Sequence, residues 1–279
     1  MERRADLHIH TTASDGAFTP AQVVEVASSL GLAAIAVTDH DTVDGVDDAL
    51  AAGRQCGVEV IPSVEISTMH QGRTEVHILG YFIDHRNADL VKFLRTLKDA
   101  RRRRAVRMVE QLNAAGVPVT FERVAELANG GSIGRPHVAR AICEVQAASS
   151  MNSAFGRFLQ EGGPGYVPRY KIEPVEAVQI ITHSGGVACC AHAAKLKRDE
   201  LLLQLLGQGM AAIEVWHPDH TAAGARFYQR FAESRGLIAT GGSDAHCFEG
   251  AGIGTIGQVT VPYEVVEQLK RASDGGTAA

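Results

Sequence analysis

Imidazole and carboxylate side chains recur at comparable places along this chain. His8 and His10 are two residues apart in a short apolar run, so on a strand both rings project to one face. His40 stands inside Thr38-Asp39-His40-Asp41, Glu65 closes a third apolar run, His77 lies in a fourth and His192 ends a fifth. Glu214 and His217 end a sixth run, and Asp244 and His246 end a seventh within Gly241-Gly242-Ser243-Asp244-Ala245-His246. Asp15 follows the first run closely, in a loop ending at Gly16. A lone histidine at a strand end is commonly a satisfied polar group, and His70 and His85 are read that way. The whole set is different, because acids and imidazoles buried together without a cation would leave charges unpaired at severe cost. Imidazole with carboxylate suits Mn, Fe or Zn, and the absence of Cys argues against a closed structural zinc site. A divalent cation held by such a set can ionise a bound water near neutral pH, so no Ser or Cys nucleophile is needed.

The elements that must position these residues follow from the patterning. Short apolar runs alternate with amphipathic stretches, as in βα units around a parallel sheet. Strands are expected at residues 5–10, 33–40, 58–67, 75–83, 187–192, 211–217 and 238–246, with a last one near 258–261. Helices are expected at 20–30, 44–56, 173–183, 199–207, 222–235 and 263–271, and residues 273–279 read as a frayed tail. In such barrels the C-terminal strand ends form the active face, so the acids and imidazoles should converge there.

Residues 86–172 break the alternation. A long helix over 88–115 carries Arg101-Arg102-Arg103-Arg104, read as a solvated face, and shorter helices are expected at 121–129, 136–145 and 152–160. The segment is read as a helical insertion in a barrel made of residues 1–85 and 173–279. Without its 87 residues the remaining 192 fall short of the ~250 of an eight-stranded barrel, so seven strands are expected. Within it, Gly134-Arg135-Pro136-His137 places Arg135 and His137 at a helix start, where free N–H groups favour a phosphate. Gly165-Tyr166-Val167-Pro168-Arg169 reads as a loop returning over the barrel mouth, and Lys195 and Lys197 follow His192 within reach of a phosphate.

Composition bounds what such a site can serve. With 27 basic and 32 acidic residues the net charge is −5, so phosphate must be bound locally, not by a basic surface. Hydrophobic residues at 45% and charged residues at 21% exclude extensive disorder. No apolar run approaches the ~18 residues of a membrane span. Five cysteines without a CxxC pair read as reduced thiols, hence a cytoplasmic protein, and no stable protein partner is evident.

The HxH pair with Ser14-Asp15-Gly16, the Thr38-Asp39-His40-Asp41 block, Val64-Glu65-Ile66 and Gly242-Ser243-Asp244-Ala245-His246 closely resemble the polymerase-and-histidinol-phosphatase (PHP) superfamily. The resemblance spans residues 5 to about 260. It implies an α/β fold, a distorted seven-stranded (β/α) barrel, and a centre of two or three divalent metal ions, Mn foremost, with Fe or Zn as alternatives. Carried over, one ion would use His8, His10, Glu65 and Asp244. A second would share Glu65 with His77 and His192, and a third would use Asp15, His40 and His246. Glu65 and Asp244 would be catalytic, and hydroxide would attack phosphorus in line.

The GRxH insertion, the Tyr166-Val167-Pro168 loop and Glu214-Val215-Trp216-His217 most resemble the subgroup of nucleoside 3′,5′-bisphosphate phosphatases, whose relatives also trim short RNA from the 5′ end. Arg135, His137, Lys195, His217 and His220 would then contact or support a small nucleotide substrate or short RNA. Ala193 departs from the proline that commonly follows the fifth-strand histidine. The reaction expected is removal of a 3′-phosphate from a nucleoside 3′,5′-bisphosphate. The alternatives are 5′→3′ exoribonuclease action on short RNA, histidinol-phosphate or other small phosphomonoester hydrolysis, C–N amidohydrolysis on the same fold, and a polymerase-associated metal-binding regulatory module.

Overall fold

The computed structural model describes residues 3–196, 198–246 and 256–275. Met1, Glu2, Lys197, Cys247 and the end of the expected tail lie outside them. Eight strands form one sheet in the order β7-β6-β5-β4-β3-β2-β1-β8. They are β1 (Arg4–Ile9), β2 (Ala34–Val37), β3 (Glu59–His70), β4 (Thr74–Tyr81), β5 (Val187–Cys190), β6 (Ala212–Trp216), β7 (Ile238–Gly241) and β8 (Val261–Pro262). The seven expected barrel strands are present, and the last expected strand is the two-residue β8, paired antiparallel with β1. The sheet nearly closes where Ile9 bridges Ala245 and the His10 N–H donates to the Ala245 carbonyl at 3.0 Å.

The expectation of a wholly parallel sheet needs correction. β4 runs antiparallel to both β3 and β5. Only residues 71–73 separate it from β3, far too few for the crossover that a parallel pair requires. The reversal matters for chemistry. It brings the first half of β4, with Glu75 and His77, to the end of the barrel where its neighbours have their C-termini.

Helices α1 (Pro20–Ser29) and α2 (Val46–Cys56) cover one side of the barrel. α1 starts at a capping box in which Thr19 and Gln22 satisfy each other's backbone N–H groups, with Pro20 in the first turn. Next come α3 (Ala88–Ala114), α4 (Phe121–Leu127), α5 (Arg135–Glu144) and α6 (Met151–Ala154), which runs into a π-helical turn at Phe155–Leu159. α7 (Pro174–His183), α8 (Ala193–Leu196), α9 (Asp199–Leu206), α10 (Ala222–Glu233) and α11 (Glu264–Ser273) complete the chain. Val265, Val266 and Leu269 of α11 close one end of the barrel against Ala5, Leu7, Ile61, Leu79 and Tyr81.

The long helix α3 belongs to two cores. Leu90, Leu94 and Leu97 pack with barrel residues such as Ile78 and Ile181, whereas Met108, Val109 and Leu112 pack with Val124, Ile142 and Phe158. The arginine run sits where the helix passes from one core to the other, so it is only half a solvated face. Arg102 and Arg103 are exposed, while Arg101 and Arg104, three apart, turn inward. Arg101 pairs with Asp41 at 2.5 Å and reaches Ser67 at 2.8 Å, and Arg104 donates to the Val167 carbonyl at 2.7 Å.

Candidate metal centre

A bulge in β1 aims the HxH pair. Asp6 pairs with Ile35 and Ile9 with Val37, so β1 carries one extra residue across that interval. Before the bulge Ala5 and Leu7 belong to the core at the closed end of the barrel. After it Ile9 packs with Val37 and Val24 in the core beneath α1 and α2. The parity change turns His8 and His10 toward the other acids and imidazoles at the barrel mouth, the re-aiming that bulges beside active sites perform. The end of β7 must then lie directly on β1. A Cβ on Gly242 would fall 2.4 Å from the His8 nitrogen, so this position admits glycine alone without backbone movement. His192 (φ +35°) and Asp244 (φ +49°) hold left-handed backbone conformations at the ends of β5 and β7, strain that clusters at functional sites.

Glu65, fully buried, is the centre of the cluster. Its Oε1 lies 2.8 Å from His77 Nδ1, 3.2 Å from His192 Nε2 and 3.5 Å from His8 Nε2, and its Oε2 lies 2.8 Å from His40 Nδ1 and 3.4 Å from His10 Nε2. Asp244 Oδ1 is 3.1 Å from His10 Nε2 and 3.4 Å from His8 Nε2. Asp15 Oδ1 is 3.4 Å from His246 Nε2, and Asp15 Oδ2 is 3.9 Å from His40 Nε2. Donor atoms within 4.8 Å of one another fall into overlapping groups: His10, Asp15, His40 and His246; His8, His192 and Asp244; His8, His10 and Glu65; His40, Glu65 and His77. The structure thus brings together His8, His10, Asp15, His40, Glu65, His77, His192, Asp244 and His246.

These residues fit divalent cations on their own chemistry. His8 Nε2, both nitrogens of His10, Asp15 Oδ1, His40 Nδ1 and Glu65 Oε2 are buried and, although close to one another, make no well-directed hydrogen bond. Each such group costs about 1–3 kcal/mol unless something satisfies it. A cation among them would satisfy several at once. Burial pushes His40 down to about 4 against the pull of Glu65 and Asp15. At His77 burial also opposes the charge, but Glu65 and Glu75 outweigh it and hold the ring up at about 9. His246 is likewise held at about 9 by Asp15 and Asp244 against burial. Such rings must shed the proton before they can bind a cation.

A surrounding layer fixes the donors. Glu214 accepts from His8 Nδ1 at 2.9 Å and from the His192 backbone N–H at 2.6 Å. His217 Nε2 lies 3.1 Å from Asp244 Oδ2 and its Nδ1 accepts the Asp219 N–H, so His217 supports Asp244. Asp39 accepts from Thr11 and Ser14, and Asp6 accepts the Ser243 and Gly257 N–H groups, which ties β1 to the ends of β2 and β7. The sequence marked Asp39 and Asp41 only as neighbours of His40, and Asp6 not at all. Their partners lie on remote elements, and no local spacing signals them.

The candidate substrate residues divide. A cavity of about 330 Å³ opens on the cluster, lined by His40, Glu65, Glu75, His77, Arg135, His192, Lys195, Asp244 and His246 among others. Arg135 and Lys195 therefore face it, Lys195 paired with Asp219. His137 instead turns back to accept the Gly134 N–H at 2.9 Å and lines a separate cavity beside Asp15. His220 lies beside His217, the two rings tilted at 40°, and reaches the Val215 carbonyl at 2.8 Å, outside the residues lining the first cavity. Among the described residues no helix is long and apolar enough to cross a membrane.

Comparison with known proteins agrees with this geometry. The model of the PHP domain matches residues 6–122. A 3′,5′-nucleoside bisphosphate phosphatase of Chromobacterium violaceum is 34% identical over 86% of this chain and 86% of its own length. A 5′-3′ exoribonuclease of Haemophilus influenzae is 32% identical over 88% of this chain and 91% of its own. A crystal structure described as a metal-dependent phosphoesterase, from Bifidobacterium adolescentis, superposes with a TM-score of 0.89 at 29% identity, covering 96% of both chains.

Proposed function

This chain belongs to the PHP family and is a metal-dependent phosphoester hydrolase, and from that premise we propose that it removes the 3′-phosphate from nucleoside 3′,5′-bisphosphates. The observation that carries the choice is Arg135. It starts α5, lines the same cavity as the acids and imidazoles, and offers a guanidinium outside the cluster where a second phosphate can sit. The relative from Chromobacterium violaceum, named for that substrate class, supports the reading.

The ligand assignment in this reading is His8, His10, Glu65 and Asp244 for one cation, Glu65, His77 and His192 for a second, and Asp15, His40 and His246 for a third. Mn is the first choice of metal, with Fe or Zn as alternatives. When bound, the cations supply an ionised water near neutral pH and neutralise the phosphate oxygens. The chain's own work is to hold that array. Glu65 spans two of the sites, Glu214 and His217 keep His8 and Asp244 in place, and Arg135 anchors the phosphate that is not cleaved.

The alternative is 5′→3′ hydrolysis of short RNA by the same centre, the activity named for the Haemophilus influenzae relative. The cavity favours the smaller substrate. At about 330 Å³ it is at the low end for ligand pockets, and no Phe, Tyr or Trp is found among its described lining residues for a run of bases to stack on. The test is phosphate release with Mn²⁺ from a nucleoside 3′,5′-bisphosphate, a nucleoside 5′-monophosphate, histidinol phosphate and short 5′-phosphorylated RNA. The bisphosphate should have the highest kcat/KM. A higher value for RNA or histidinol phosphate would overturn the assignment.

A further inference from the structure

Glu75 precedes His77 by two residues on β4, so both side chains lie on the same face of the strand. Its Oε1 is 2.9 Å from His77 Nε2. The other ring nitrogen, Nδ1, is 2.8 Å from Glu65. His77 is therefore gripped by two carboxylates, one inside the cluster and one outside it. The outer carboxylate is itself held from the insertion. Arg169 lies 2.5 Å from Glu75 Oε1 with its side chain mostly buried, and Arg135 lies 3.6 Å from Oε2. Arg104 of α3 holds the same returning segment through the Val167 carbonyl.

An imidazole that binds a cation through one nitrogen is oriented by what its other nitrogen touches. We propose that Glu75 positions His77 for the second cation site, and that Arg169 in turn positions Glu75, so that the helical insertion steadies this site without supplying a donor atom to it. The contact fixes the tautomer: Nε2 keeps the proton and donates to Glu75, which leaves Nδ1 as the binding nitrogen. Arg169, held in the segment that returns over the mouth, keeps the carboxylate from swinging into solvent. The inference rests on reading His77 as a ligand, and the experiment separates the two.

Wild type, Glu75→Ala, Glu75→Gln, Arg169→Ala and His77→Asn are loaded with Mn²⁺ and dialysed against graded chelator. Mn per chain is measured by elemental analysis, alongside Tm of the metal-stripped protein. Glu75→Ala and Arg169→Ala should each lose one cation at a chelator concentration roughly 10- to 100-fold below that needed for wild type, the usual effect of removing a ligand's orienting partner. The other cations should be retained as in wild type. Glu75→Gln, which keeps an acceptor oxygen but not the charge, should fall between. His77→Asn should lose the same cation outright. If His77→Asn loses a cation while both alanine variants retain theirs as wild type does, Glu75 is only a salt-bridge partner of the arginines and the proposal fails. If His77→Asn retains every cation, the ligand reading fails first. A general loss of all cations together with a lowered Tm in Glu75→Ala and Arg169→Ala would mark a structural role and also overturn the proposal.

Discussion

Arg135→Ala tests the division of labour between the cation cluster and the insertion. On the proposed reading the cluster holds only the phosphate being cleaved, so a second phosphate must find its donors elsewhere. Arg135 is suited to that task by place and by freedom. It begins α5, whose N-terminal end is the positive end of the helix. Its ion pair with Glu75, at 3.6 Å, is longer than a hydrogen bond, so a phosphate can displace it. A charge-assisted contact of this kind is worth about 1.5–3 kcal/mol. Because 29% of the side chain is exposed and Glu75 competes for it, the lower half of that range applies. About 1.5–2 kcal/mol corresponds to roughly a 10- to 30-fold loss in kcat/KM at ~1.36 kcal/mol per decade. The assay is initial-rate phosphate release from a nucleoside 3′,5′-bisphosphate and, in parallel, from an aryl phosphate that has no second phosphate to lose. The bisphosphate should suffer the full loss, chiefly in KM, and the aryl phosphate should be nearly unchanged. Equal losses on both would place Arg135 at the cleaved phosphate. No loss on either would leave it as the first residue of α5 and nothing more, and the reasoning would be refuted.

Three further outcomes follow from the geometry. Glu65→Gln should cut turnover by more than the roughly 100-fold typical of changes one step from a metal, because Glu65 faces five imidazoles; full cation content with near-normal activity would contradict that central place. Gly242→Ala forces a Cβ to within 2.4 Å of the His8 nitrogen. Overpacking of about 1–3 kcal/mol should lower Tm by roughly 2–10 °C and reduce bound cation, and unchanged values would mean that β7 does not press on β1 as described. Finally, Cys189 and Cys190 are fully buried, and burial also pushes both thiols up. A neutral-pH thiol reagent should therefore titrate no more than three of the five cysteines until denaturant is added; five fast thiols in the native protein would refute their burial.

Much of the centre was legible because its signals are local. Two histidines at spacing two share a strand face, and an acid or imidazole at the end of nearly every apolar run must converge with the others once the runs line a barrel. The caps were equally readable: Thr19-Pro20 starts α1, and Gly134 with Pro136 starts α5. The boundaries were less so. The seventh strand ends at Gly241, not 246, because Gly242 crosses over β1 and the chain takes a left-handed turn at Asp244.

What stayed hidden depends on pairing between distant segments. Whether β4 runs with or against β3 is a property of the connection, and a periodicity of two is the same in either direction. The reversal nevertheless decides which half of β4 reaches the mouth, and so it decides that Glu75 can touch His77 beside the cluster. The bulge in β1 is hidden in the same way, since an extra residue is visible only against its partner strand. The arginine run shows the principle most plainly. Four identical residues read as one solvated face, yet the helix beneath them changes partners at that point, from the barrel core to the core of the insertion. Arg101 then meets Asp41, next to His40, and Arg104 meets the segment that delivers Arg169 to Glu75. The insertion is thereby tied to both sides of the cluster by ion pairs. On the proposed reading, a substrate phosphate drawn to Arg135 would land on a surface already linked, through Glu75 and His77, to the residues assigned to the cations.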